Sequence, residues 1–245
     1  MNNIKNNILV DGVNLSKCYR SDSEAVQALD DVSIQVKTGE MVALVGPTGS
    51  GKTTLLGILA GLELPDCGFV TLSTQPLSQL NADGMTDLRS RMVGFVYQNY
   101  NLFPSFNVRE NVGLPLRLMM RPPFDAHQRS GELLADWQMS NLAHRYPAEL
   151  SGGQQQLVAI ARALAANPPL VIADEPTANL DSSASRQIVS RLRSLADSGE
   201  HGVILATHDL RVASQADRIL NMRDGRIVKE TVLDGMRFEG MKLDA

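Results

Sequence analysis

Cysteine is nearly absent from the 245 residues: Cys18 and Cys67 occur alone, without C-x-x-C spacing and without a Cys/His cluster. That excludes a zinc framework and a disulfide scaffold and leaves two reduced thiols as the expectation. Histidine is as sparse, with four residues at positions 127, 144, 201 and 208. Only His208 has neighbours, Thr207 and Asp209, that suggest a task. Net charge is small, −4, so the chain lacks the positive excess that draws nucleic acid in bulk, and no nucleic-acid partner is expected. No apolar run approaches the length that spans a bilayer, and residues 1–7 lack the apolar stretch of a signal peptide. The expectation is a cytoplasmic chain that reaches a membrane only through a partner. A hydrophobic share of 43% and a charged share of 20% are those of an ordinary globular protein, read as one large domain.

Two glycine turns stand out against this plain background. Gly46-Pro47-Thr48-Gly49-Ser50-Gly51-Lys52-Thr53 fits G-x-x-x-x-G-K-[ST], in which backbone N–H groups close on phosphate oxygens, the lysine reaches the outer phosphates and the hydroxyl holds Mg²⁺. Such a string arises by chance in about one chain in a hundred of this length. The second turn, Leu150-Ser151-Gly152-Gly153-Gln154, precedes a helical stretch expected over Gln155 to Ala166. Its glycines can present N–H groups and a helix N-terminus to an anion.

The surrounding pattern supplies the context a phosphate loop needs. Apolar segments at Ile8–Val10, Val32–Val36 and Met41–Val45 read as strands, and the last runs into the glycine loop, with a helix expected over Thr53–Leu62. A short helix is expected over Thr86–Met92 and a strand over Val93–Tyr97. Residues 107–145 carry a helical pattern that Pro115, Pro122 and Pro123 are expected to break. Beyond the second glycine turn, strand Leu170–Ala173, helix 182–197 and strand Val203–Ala206 alternate, which indicates a parallel α/β sheet. Arg218 to Val228 reads as a hairpin turning at Asp224-Gly225. The tail from Gly235, with Phe238 and Met241, is expected to pack on the core, with contact to a partner as the alternative.

Phosphoryl transfer needs a cradle, a metal ligand, a group that orients water and a sensor of the terminal phosphate. Asp174 ends an apolar strand, where a parallel sheet offers its ligand edge, and suits Mg²⁺. Glu175 follows it and can orient or deprotonate the attacking water. As a bare sequence, Asp174-Glu175-Pro176-Thr177 also reads as a polar turn; the phosphate loop is what favours the functional reading. Gln98 closes a strand and offers an amide to Mg²⁺ or to a water, and a loop glutamine is the alternative. His208 can donate to the terminal phosphate or cap a helix. Tyr19, taken after a strand, has packing as its alternative.

Taken together, these residues resemble the nucleotide-binding subunit of ATP-binding cassette (ABC) transporters over nearly the whole chain. Leu150 to Gln154 is similar to that family's LSGGQ signature, which is specific where the phosphate loop is not. The resemblance implies a P-loop NTPase (RecA-like) α/β core with an antiparallel β subdomain and an inserted helical signature subdomain. It divides one domain, 1–245, into a core of 1–97 and 160–245 and a helical part of 98–159. It implies ATP and Mg²⁺ as cofactors and gives Tyr19 to adenine stacking, Gly46 through Thr53 with Thr54 to the Walker A loop, and Gln98 to the Q-loop. Asp174 closes Walker B, Glu175 is the implied catalytic base, Asp181 belongs to the D-loop, and His208 is the switch histidine. Thr53, Gln98 and Asp174 are the implied metal ligands. The implied partners are a second copy, head to tail, whose Ser151, Gly152, Gly153 and Gln154 complete the ATP site, and an integral membrane permease subunit. Residues 93–104 and 108–116 are similar to the lipoprotein-releasing and macrolide-exporter subgroup, the LolD/MacB type; cell-division ATPases of the FtsE type, which regulate cell-envelope enzymes, and soluble non-transport cassettes are the alternatives. Two positions depart from the pattern. Leu157 stands where the family usually has arginine, and Ala178 where that subgroup often has glycine.

Overall fold

The computed structural model describes residues 7–20 and 25–233. The N-terminal part is a long antiparallel pair, β1 (Ile8–Arg20) and β2 (Ala25–Lys37), followed by β3 (Met41–Val45), which enters the glycine loop, and α1 (Lys52–Leu59). Strands β4 (Cys67–Leu72) and β5 (Gln75–Pro76) close a four-stranded antiparallel sheet in the order β2-β1-β4-β5. Then come α2 (Ala82–Met92), β6 (Val93–Val96), α3 (Val108–Leu118), α4 (Ala126–Asp136), α5 (Gly152–Ala163) and β7 (Leu170–Asp174). The chain continues through α6 (Ser182–Asp197), β8 (Gly202–Thr207), α7 (Leu210–Ala213), β9 (Arg218–Arg223) and β10 (Arg226–Val232). The second sheet is six-stranded, in the order β10-β9-β3-β8-β7-β6, with β10 antiparallel to β9 and the other pairings parallel.

Strand β3 shows why the sheet is central. Its five residues are all buried, and they alternate between two cores. Val42 and Leu44 join Val10, Val36, Leu55 and Leu59 beneath the antiparallel sheet and α1. Met41, Ala43 and Val45 join Val112, Leu134, Trp137, Val158 and Leu192 on the helical side. A strand whose period-2 alternation is apolar on both faces must be covered on both faces, and here it is.

The helices start where their caps dictate. Asn107 and Glu110 form a reciprocal capping box on α3, Asp125 caps α4, and Asp181 accepts from the N–H groups of Ser183 and Ala184 to start α6. On α6, Ile188, Val189, Leu192 and Ala196 form the buried stripe, which matches the helix expected over 182–197.

Three expectations are corrected. Pro115 does not break its helix, because α3 runs through it to Leu118. Burial of Val108, Asn111, Val112 and Leu116 against the helical core outweighs the roughly 3 kcal/mol that an interior proline costs. Pro122 and Pro123 do fall in the connection to α4. The helix expected from Gln155 starts instead at Gly152, so the second glycine turn is the helix's own first turn. Tyr19 lies within β1 rather than after a strand, paired with Val26 of β2. The boundary set between 159 and 160 falls inside α5, and the tail expectation for Phe238 and Met241 lies outside the described residues.

Candidate active site

The loop between β3 and α1 is shaped by two close approaches. Gly51 caps α1 in the left-handed region at φ 97°, and a Cβ there would stand 2.3 Å from the carbonyl oxygen of Ala28. A Cβ on Gly46 would stand 2.3 Å from that of Met222. No side chain fits either place, so the loop's backbone is pressed against β2 and β9 where it enters α1. Ser50 is buried within the same turn. Lys52 folds over the loop that precedes it, donating to the carbonyls of Gly46 at 2.8 Å and Pro47 at 3.0 Å. An ammonium held over a glycine loop at a helix N-terminus makes a cradle suited to phosphate oxygens.

Above the loop is a cleft of about 470 Å³. Thr48, Gly49, Lys52, Thr53 and Thr54 line its floor, with Tyr19, Val26 and Ala28 on one side. Gln98, Asp174, Glu175 and His208 close the other. These last four come from the C-terminal ends of β6, β7 and β8, the edge at which open parallel sheets bind ligands.

The Thr53 hydroxyl donates to Asp174 Oδ2 at 2.9 Å. Burial pushes the Asp174 carboxyl above its ordinary range; the Thr53 hydrogen bond opposes that rise, Glu175 adds to it, and Lys52 also opposes it. Among the described residues there is no cluster of three or more His, Cys, Asp or Glu side chains suited to a metal. On the cleft wall Thr53, Gln98 and Asp174 offer a hydroxyl, an amide oxygen and a carboxylate, hard oxygen donors of the kind Mg²⁺ takes.

Glu175 has φ 47°, a left-handed backbone for a residue with a side chain. Its N–H donates to the carbonyl of Ala206 at 3.0 Å, which anchors it to β8 at the start of the next loop. The carboxylate meets His208 Nδ1 at 3.0 Å, and the Glu175 side chain is largely buried while that of His208 is exposed. His208 does not cap the following helix; Asp209 does. A carboxylate paired with an imidazole above a phosphate cradle can orient water and sense a terminal phosphate.

Tyr19 lines the cleft, and its hydroxyl donates to the Glu63 carboxylate at 2.7 and 2.8 Å. Burial, with Glu63 second, holds its phenol above the ordinary range.

Ser151, Gly152, Gly153, Gln154 and Asp181 do not join this cleft. Ser151 and Gln154 satisfy each other in a capping box, with hydrogen bonds of 3.3 and 3.0 Å, at the start of α5. Gly152 packs beside Tyr100 and Leu180, where a Cβ would stand 2.9 Å from the Tyr100 hydroxyl. The Asp181 carboxylate is committed to capping α6. Leu157 is buried in the helical core.

Val26, Ala28 and Glu63 were not legible as site residues. Val26 and Ala28 reach the cleft only because β2 pairs with β1, a pairing that no local motif encodes.

The ABC transporter family profile matches residues 29–178. Among solved structures, the chain is similar to the ATP-binding cassette MJ0796 in a dimeric post-hydrolysis state bound to ADP and Pi, at 39% identity and a TM-score of 0.85, covering 92% of this chain and 99% of that one. A second dimeric structure of MJ0796, described as a bacterial ABC transporter cassette, matches at 38% identity with the same TM-score and coverage. The cbiO1 protein of Clostridium perfringens, part of the ABC transporter complex cbiONQ, matches at 27% identity and a TM-score of 0.80, covering 92% of this chain and 89% of that one. With the phosphate cradle and the sheet order in place, the match shows that the chain belongs to the ABC transporter family, as one of its ATP-binding cassettes with the P-loop ATPase fold.

Proposed function

We propose that the chain is the ATP-hydrolysing subunit of a membrane complex and works as a head-to-tail dimer that closes around two ATP molecules. The observation that carries this reading is the separation of the two glycine turns. The cradle, Gln98, Asp174, Glu175 and His208 share one cleft, whereas Ser151, Gly152 and Gly153 lie at the start of α5 outside it. A second copy, turned to bring its α5 N-terminus over the first copy's cradle, supplies the missing N–H donors. The dimeric state of MJ0796 bound to ADP and Pi supports that arrangement.

In this reading Lys52 and the loop bind the β- and γ-phosphates, Thr53, Gln98 and Asp174 hold Mg²⁺, and Glu175 orients the attacking water. His208 senses the γ-phosphate, Tyr19 stacks on adenine and Asp181 lies at the subunit contact. Bound Mg²⁺ supplies charge neutralisation. Residues 98–159 form the helical part that faces a membrane partner.

No helix among the described residues is long and apolar enough to cross a membrane. Docking to a permease is supported by apolar side chains left exposed around the segment after Gln98 and the α3–α4 connection: Phe103, Leu118, Met120 and Phe124. The place of cbiO1 in a larger transporter complex supports the same role. We assign the complex to the LolD/MacB type on the similarity of residues 93–104 and 108–116.

The test is Glu175→Gln. It retains ATP binding and loses orders of magnitude in turnover; hydrolysis at the wild-type rate contradicts the role given to Glu175. Recovery of an integral membrane protein with the tagged chain supports the permease, and its absence removes it.

A further inference from the structure

Tyr19 is held from two sides by residues outside the motifs that mark the cleft. Its hydroxyl donates to both carboxylate oxygens of Glu63, which follows the end of α1. Gly57 of α1 leaves room for that carboxylate, since a Cβ built there would stand 3.2 Å from Glu63 Oε1. Lys17, two residues before Tyr19 on the same strand, places its ammonium 5.8 Å from the Tyr19 ring centroid. Lys17 is anchored in turn to the Leu64 carbonyl at 2.8 Å and to Asp66 Oδ1 at 3.3 Å. The short segment 63–66 therefore fixes both the ring and the cation beside it. Because α1 begins at the phosphate loop and ends at Leu59, one short turn before this segment, the helix links the cradle to the tyrosine's anchor.

We propose that Glu63 is a positioning residue for nucleotide binding: acting through Tyr19, with Lys17 in support, it holds the aromatic wall of the cleft in register with the cradle and strengthens binding of a base-bearing nucleotide over a bare triphosphate. The proposal rests on the reading of Tyr19 as the base platform. A ring free to rotate must be immobilised when the base arrives, and Glu63 removes that cost before binding. A bare triphosphate would engage the loop and Lys52 and not the Tyr19 ring, so its affinity depends less on Glu63 than that of a base-bearing nucleotide, even though the Tyr19 hydroxyl also meets Thr54 of the loop.

The experiment measures dissociation constants of ATP and of inorganic tripolyphosphate, with KM and kcat for ATP, in the full chain. The variants are Tyr19→Ala, Tyr19→Phe, Glu63→Ala, Glu63→Gln and the Tyr19→Phe/Glu63→Ala pair. Glu63→Ala and Tyr19→Phe each weaken ATP about threefold to tenfold. Glu63→Ala leaves kcat and tripolyphosphate affinity within about twofold, and the double variant binds ATP no worse than either single one. Glu63→Gln, which keeps an acceptor, recovers part of the loss. Equal weakening of ATP and tripolyphosphate in Glu63→Ala makes the residue merely structural and overturns the proposal. Unchanged ATP affinity in Glu63→Ala, with a loss in Tyr19→Ala, overturns the role of Glu63 and leaves Tyr19 standing. Unchanged affinity in Tyr19→Ala removes the platform itself.

Discussion

Thr53 and Asp174 are 121 positions apart in the chain, yet the Thr53 hydroxyl donates to Asp174 Oδ2 at 2.9 Å. One lies in the first turn of α1 and the other ends β7, so the hydrogen bond ties the phosphate loop to the neighbouring edge of the sheet. Both atoms are hard oxygen donors of the kind Mg²⁺ takes. The proposed cation site would thus be set by α1 and β7 together and not by a compact metal motif.

The first prediction concerns the charge on Asp174. Burial raises its carboxyl in the folded chain, so the folded state binds that proton more tightly than the unfolded state. The resulting stability is present in full below the ordinary carboxylate value and is lost as pH rises through the raised folded value. Asp174→Asn removes a buried charge, and the nucleotide-free variant therefore melts higher than the parent at neutral pH, with the gap closing in acid. The same variant loses Mg²⁺-dependent hydrolysis. Melting curves from mildly acidic to neutral pH check both signs, and a lower melting temperature at neutral pH contradicts the account.

A second prediction rests on Arg162 of α5. Its guanidinium donates to the carbonyls of Tyr100 at 2.8 Å and Asn101 at 2.6 Å, two consecutive residues in the left-handed region at φ 59° and 48°. Burial is the main influence on this guanidinium and lowers its proton affinity. Arg162→Met leaves two carbonyls without their charged donor and costs about 2–3 kcal/mol of stability. Chemical denaturation measures it; a change below about 0.5 kcal/mol sets the clamp aside.

Leu157 tests how the chain manages without the arginine usual at that position. It belongs to the helical core with Val158, Ile160 and Ala161. Leu157→Ala costs about 2–5 kcal/mol, and Leu157→Met, which conserves volume, costs less than about 1.5 kcal/mol. Equal stability of the parent and Leu157→Ala in denaturant titrations removes the packing role.

Much of this site was readable from residues alone, for physical reasons that differ by element. The phosphate loop is contiguous, so its chemistry and geometry sit in one string, and β7 is an apolar run that stops at a carboxylate. Helix α6 was readable because Asp181 marks its start and the apolar stripe repeats at helical spacing. The start of α5 was misplaced although Ser151 and Gln154 carry the capping-box pattern that marks it. Pro115 misled because local backbone preference was overridden by burial on α3. The Tyr19–Glu63 contact joins residues 44 positions apart, and no periodicity announces a side-chain pairing between a strand and the end of a helix.

The central claim is that each ATP site is completed by a second copy, and light scattering of Glu175→Gln with ATP and Mg²⁺ tests it most directly. Ser151 is exposed in the single chain, so Ser151→Arg is sterically tolerated there; it removes the α5 cap, at a cost of about 1 kcal/mol, and blocks a partner's approach. The account predicts a dimer holding two ATP molecules for Glu175→Gln, and monomers with ATP still bound for Glu175→Gln/Ser151→Arg. A Glu175→Gln protein that stays monomeric at saturating ATP, or a dimer indifferent to Ser151→Arg, contradicts it.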